Sequence, residues 1–126
     1  MRGIWMVGAA GAAAALITGC VATPQLSGTF GAPSFAALQA MCGVSADYDD
    51  DAASVYSAFY DAYVAYRRGR LSKDDYCAFQ ASVAQHHAQL SAGGADARAA
   101  WATFFNGERV RAIDWREPTD PTLRGG

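Results

Sequence analysis

Two apolar periodicities of helical spacing, separated by only a few residues, constrain this chain more than any other feature. In residues 51–68, Val55, Phe59, Ala62 and Tyr66 recur at the spacing of one helix face. In residues 73–90, Tyr76, Phe79, Gln80, Val83, His87 and Leu90 do the same. Between them, Arg67 and Arg68 suit the negative end of the first helix, and Gly69 suits the left-handed position just past it. Leu71 supplies a hydrophobic closure, and Ser72 with Asp75 reads as an N-cap and its acidic N3 partner. The loop is too short for anything but a reversal. The expected core is therefore a helix, a tight turn and a second helix, packed as an antiparallel hairpin.

Shorter elements flank the hairpin. Ser34 reads as the cap of a short helix over Phe35 to Cys42, with Phe35, Leu38 and Met41/Cys42 on one side. Asp51 is placed to cap the first long helix, whose positive end also suits the neighbouring acids. After Ala92-Gly93-Gly94, Asp96 reads as the cap of a helix loaded with Trp101, Phe104 and Phe105. That helix is expected to end at Asn106, with Gly107 as its stop. Glu108 to Trp115 fits either a further turn of helix or an extended segment, and Pro118 and Pro121 exclude regular helix beyond it. The expected fold is an all-α bundle of three to four helices on the hairpin, spanning 34–126 with an extended C-terminal tail. Ile113 and Trp115 are too apolar to leave in water, so the chain is expected to be ordered through Trp115 and to touch the bundle there.

The start of the chain carries an address. Arg2 is followed by an uncharged stretch from Gly3 to Ala46, apolar from Ile4 to Ile17. This is the length of a signal-peptide core and short of the roughly 20 residues that a membrane span needs. It ends in Leu16-Ile17-Thr18-Gly19-Cys20, an aliphatic residue, two small ones and Cys. These residues resemble the lipobox of bacterial lipoprotein precursors, and the resemblance covers residues 1–20 only. It implies a diacylglyceryl thioether on Cys20, cleavage between Gly19 and Cys20, and N-acylation of the new terminus. Val21 in place of Asp implies sorting to the outer membrane, facing the periplasm. A plain cleaved signal peptide and a retained membrane anchor are the competing readings. Pro24 lies so close behind that a spanning helix would have nothing to spare. Two or three acyl chains anchor stably where one does not. Residues 20–33, uncharged and rich in Pro, Gly, Ser and Thr, read as a flexible tether.

Cysteine usage fits that address. With Cys20 spent on lipid, Cys42 and Cys77 remain. In an oxidising compartment they read as a disulfide, and two buried free thiols are the alternative. A stripe of small residues, Cys77, Ala81, Ala84 and Ala88, offers a shallow bed on the second helix. The short helix, carrying Phe35, Leu38 and Met41, is expected to dock there.

Cleavage before Cys20 leaves about 107 residues and removes one of the 10 basic residues but none of the 12 acidic ones, for a formal charge near −3. One small domain fits that length, and nucleic acid, which calls for a basic face, is excluded as a partner.

Candidate chemistry is sparse. Asp47, Asp49 and Asp51 match the first positions of a calcium loop, but Ala52 and Ala58 stand where Gly and Glu are required. His86 and His87 are neighbours on a helix and diverge by about 100°, so they cannot share an ion. His87 lies on the apolar face and reads as a satisfied, half-buried histidine; His86 reads as solvated. Gly43-Val44-Ser45-Ala46-Asp47 lacks the second Gly of a nucleophile elbow. No catalytic residue, metal or bound cofactor is therefore assigned; the only expected non-protein group is the lipid on Cys20.

The suggestive feature is a second stripe on the first long helix, Tyr56, Tyr60 and Tyr63. Two adjacent stripes make an arc wider than one partner helix covers. Either another segment of the chain completes the packing, or the arc is a binding surface to which Trp115 contributes. The expected function is a small lipid-anchored, non-enzymatic interaction or accessory protein of the envelope. The alternative is a small-ligand or cell-wall binding module using the tyrosines. A pocket with two convergent polar groups beside them would favour the second, and an open aromatic face the first.

Overall fold

The computed structural model describes residues 32–119. The expected signal sequence, Cys20 and the expected tether up to residue 31 lie outside the described residues, as do residues 120–126. The described chain is all-α, with four helices and no strand among the described residues: α1 (Phe35–Ala40), α2 (Ala52–Arg67), α3 (Lys73–Leu90) and α4 (Ala95–Arg116). A 3₁₀ turn, Asp49–Asp51, leads into α2.

Local chemistry sets most of the boundaries. The Ser34 hydroxyl accepts the Ala37 N–H at 3.1 Å, and the Ser72 hydroxyl accepts the Asp75 N–H at 3.0 Å. Both satisfy donors that a helix start leaves unpaired. At the far end of α2, Gly69 takes φ +83°. Its N–H donates to Tyr66 O, and the Arg70 N–H donates back to Ala65 O. This is the Schellman pattern, and Gly43 at φ +69° ends α1 in the same way. Asp51 occupies the N-cap position of α2 but makes no capping bond there. The Asp47 carboxylate instead accepts the Asp49 N–H at 3.0 Å.

Partners across the helices fix the topology. Asp51 faces His87, Phe59 meets Phe79, and Tyr66 stacks on Tyr76. Numbers rise along α2 as they fall along α3, so the hairpin is antiparallel. His87 meets Trp101 and Phe79 meets Trp115, so α4 runs antiparallel to α3. Asp61 pairs with Arg116 while α4 begins beside Asp51, so α4 runs parallel to α2. The product is an up-down-up bundle.

The most extensive packing joins α2 to α4. Ala58, Asp61, Ala65 and Arg68 fall on one line of α2, and Asp61 and Arg68 both reach α4 or the turn after it. Ala58, Ala62, Ala65 and Ala112 are completely buried. Small side chains at such a seam let two backbones approach closely. Ala58→Leu is therefore expected to cost about 1–3 kcal/mol by overpacking. Urea denaturation checks this; a change under about 0.5 kcal/mol, ordinary for a surface site, would mean the seam has room to spare.

Two expectations are corrected. The helix after the Gly93-Gly94 break is not capped by Asp96, which lies in its first turn behind Gly94 at the N-cap, and it does not stop at Asn106: α4 continues through Gly107 to Arg116. Gly107 is exposed with open space around it, at a cost of about 1 kcal/mol relative to Ala. Burial of Ala112, the contact of Trp115 with Phe79 and the Arg116–Asp61 pair outweigh that cost. Residues 108–116 are thus helix rather than extended tail. Trp115 does touch the bundle.

The second correction concerns α1. Cys42 and Cys77 are bonded, with Cα atoms 5.3 Å apart. Yet α1 does not lie along the Cys77–Ala88 stripe, since Ala81 and Ala88 are exposed. Phe35 instead packs within 6 Å of the rings of Tyr48, Tyr56 and Phe59, and the Gln80 side-chain amide donates to Leu38 O at 2.9 Å. The aromatic partners on α2, and a donor one turn beyond Cys77, decide the docking. Gln39, also buried, clamps the following loop by pairing with both the N–H and the C=O of Ala46.

Candidate interaction surface

The tyrosines of α2 form a continuous run. Ring centroids are 6.2 Å apart for Tyr56–Tyr60, 5.9 Å for Tyr60–Tyr63 and 6.5 Å for Tyr63–Tyr66. Tyr66 then stacks on Tyr76 of α3 at 5.7 Å with the planes 8° apart. Helical spacing of three and four residues produces this ladder, with rings leaning on one another along the surface. The four α2 tyrosines are half-buried, whereas Tyr76 is fully enclosed.

Each ring is held by a different partner. The Tyr56 hydroxyl donates to Pro33 O at 2.7 Å, tying the entry of the described chain to one end of the run. Burial, with the Tyr60 hydroxyl nearby, raises the Tyr56 pKa. Arg116 lies 5.2 Å from the Tyr60 centroid while its guanidinium pairs with Asp61 at 2.6 Å. Arg67 lies 6.0 Å from the Tyr63 centroid. These contacts are cation–π in geometry. At the Tyr66 end, Met41, Tyr63, Tyr66 and Arg67 line an open depression of about 440 Å³. The sequence pattern placed Tyr56, Tyr60 and Tyr63 together; it missed Tyr66 and Tyr76 as members of the same ladder, and Met41 as its rim.

Trp115 belongs elsewhere. Its ring stands edge-on to Phe79 at 5.3 Å, between α3 and α4, with the Arg111 guanidinium 4.6 Å above it. It shares no ring contact with the tyrosines among the described residues. α4 covers only part of the tyrosine arc, through Arg116.

The histidines differ from each other. His87 is 5 % exposed, with Nε2 3.4 Å from Asp51 Oδ2 and its ring near Tyr48 and Trp101. Tyr48 beside it is 1 % exposed, and burial pushes its hydroxyl pKa up to about 12. His86 is not solvated as expected: it is half-buried and stacks on Phe104 at 3.7 Å, and its Nδ1–H donates to Ser82 O at 2.8 Å. Phe104 sits on another helix, so nothing near His86 in sequence announces the contact. Ser91 lines the same cavity as His87 and Asp51, but no hydrogen bond links it to either. Among the described residues no group of three or more His, Cys, Asp or Glu is arranged to hold a metal, and no helix is long and apolar enough to cross a membrane. No family model matches this chain, and no curated protein or solved structure is similar to it.

Proposed function

We propose that this chain is a lipid-anchored accessory protein of a bacterial envelope that holds another envelope protein through the tyrosine face of α2. One observation carries the reading: a continuous run of half-buried tyrosine rings opens into a depression lined by Met41, Tyr63, Tyr66 and Arg67. A small-ligand site would call for several convergent polar groups around an enclosed apolar space. This depression has a single charged group and is open, which suits a protuberance of a protein partner. Tyrosine, methionine and arginine are the residues enriched in the buried centre of such interfaces. The lipobox ending at Cys20 supports the anchor, and the Cys42–Cys77 bond suits an oxidising compartment.

The test places a photo-crosslinking residue at position 63 of the full chain in its own envelope, with exposed position 99 on α4 as the control. The expected result is a discrete protein adduct from position 63, absent from position 99 and lost with Arg67→Glu. Equal labelling at both positions overturns the tyrosine face. Mass spectrometry of the same material is expected to show Cys20 as the acylated N-terminus, and Cys20→Ser to abolish the acyl mass. Another N-terminus without lipid overturns the anchor independently of the face.

A further inference from the structure

Charge around the tyrosine depression is one-sided. Of its lining residues only Arg67 is charged, and it is exposed. Its guanidinium lies 6.0 Å from the Tyr63 centroid and pairs with no carboxylate among the described residues. The only carboxylate within α2 belongs to Asp61, and the 2.6 Å bond from Arg116 already answers it. Arg68 and Arg70 follow Arg67, both exposed. The acids of α3, Asp74 and Asp75, occupy its first turn, where they suit the positive end of that helix, and neither lines the depression. The exposed acids Asp47, Asp49 and Asp50 gather instead at the far end of α2.

Hydrogen-bonding capacity is a separate observation with the same direction. The Tyr56 hydroxyl is spent on Pro33 O, whereas the hydroxyls of Tyr63 and Tyr66 bond to no described residue. Beside the apolar wall of Met41, the depression thus offers two phenol donors and a guanidinium, and no carboxylate. A carboxylate is the group that accepts from both kinds of donor, and the guanidinium can grip it with two parallel bonds.

We infer that the segment docking here is acidic: an apolar side chain fills the depression beside Met41, and flanking carboxylates accept from Arg67 and the tyrosine hydroxyls. This rests on the tyrosine face being the docking site, and it names the chemistry of what docks there. A basic segment would bring its cations against Arg67, Arg68 and Arg70, and like charges set face to face reject a wrong partner. The acids at the far end of α2 repel the same acidic segment, so the charge along the bundle also fixes which end it approaches.

The test keeps the photo-crosslinker at position 63 of the full chain in its own envelope and sequences the captured peptide by mass spectrometry. The expected peptide carries Asp or Glu on either side of the crosslinked residue, beside an apolar one. Arg67→Lys, which keeps the charge, is expected to retain the adduct, and Arg67→Glu to lower its yield by at least about tenfold. Lys in place of the partner carboxylate nearest the crosslink should abolish the adduct with the unaltered chain and restore it with Arg67→Glu. A neutral or basic captured peptide, or a charge exchange that restores nothing, overturns the acidic segment and leaves the docking face standing. A lipid adduct in place of a protein one, or no adduct from position 63, overturns the docking face and this inference with it.

Discussion

Truncation after Gly107 is expected to unfold the domain rather than trim a tail. The missing segment holds Ala112, completely buried on the α2 seam, and Trp115, which packs edge-on against Phe79 in the centre of the hairpin. It also holds Arg116, whose loss strands Asp61 with its side chain only 17 % exposed. Removing a large buried aromatic costs about 3–5 kcal/mol, and Trp115, half-buried, sits toward the lower figure. Breaking one partner of an enclosed ion pair adds further loss, because a desolvated carboxylate remains. Uncovering the α2 seam adds more. A domain of this size holds roughly 4–13 kcal/mol in total, at about 0.05–0.15 kcal/mol per residue. The truncated chain should therefore show no cooperative melting transition by circular dichroism near physiological temperature. Trp115→Ala alone should cost about 2–3 kcal/mol and keep a transition. A truncated chain that melts like the intact one would mean that the second half of α4 contributes nothing to the bundle.

The hairpin and its stops were legible because their causes are local. Ser34 and Ser72 cap helices with their own hydroxyls, and Gly69 is needed at a positive φ. The cysteine pair was legible by elimination once Cys20 was assigned to lipid. What escaped was decided by partners distant in sequence. Gly107 reads as a stop on propensity alone, but tertiary contacts from Ala112 to Arg116 override a cost of about 1 kcal/mol. Alanine is the sharper case. The stripe Cys77, Ala81, Ala84, Ala88 and the line Ala58, Ala62, Ala65 are both alanine-rich and both begin with i, i+4, i+7 spacing. Ala81 and Ala88 remain in water, while Ala58, Ala62 and Ala65 are completely buried. Alanine suits a helix surface and a close helix contact equally, so pattern cannot choose between them.

The same limit applies to the candidate surface. Tyr56, Tyr60 and Tyr63 stand out as an i, i+4, i+7 stripe, whereas Tyr66 falls on the core face of the helical pattern and Tyr76 on a different helix. Only the hairpin register stacks Tyr66 on Tyr76 and extends the ladder. On pattern alone Trp115 joins the tyrosines as a contributor to one binding surface. The continuation of α4 turns it instead toward Phe79. The cavity at Asp51, His87 and Trp101 was invisible, because it joins three elements that no local motif connects.

Loss of the Cys42–Cys77 bond is expected to cost about 3–4 kcal/mol, from the 35-residue separation it closes in the unfolded chain. For a domain of this size that is a fall of roughly 12–30 °C in melting temperature. The loss should begin at α1. Six residues are far too few for a helix to persist alone, so α1 survives only by what holds it. Those holds are the disulfide, the burial of Phe35 and Leu38, the Gln80 amide on Leu38 O, and the Tyr56 hydroxyl on Pro33 O. The last two are single hydrogen bonds worth about 1 kcal/mol each, so without the covalent link the burial of two side chains bears most of the docking. Hydrogen exchange should therefore accelerate first at the amides of Leu38, Met41 and Val44, while those inside α2 and α3 remain protected. The double variant Cys42→Ser/Cys77→Ser should behave as the reduced protein does. Uniform acceleration across all helices would mean that α1 is part of the cooperative core, and a cost under about 1 kcal/mol would mean the bond is redundant. Because Met41, next to Cys42, forms one wall of the tyrosine depression, loosening α1 also opens that depression. Reduction should accordingly weaken crosslinking from position 63 before the bundle itself unfolds.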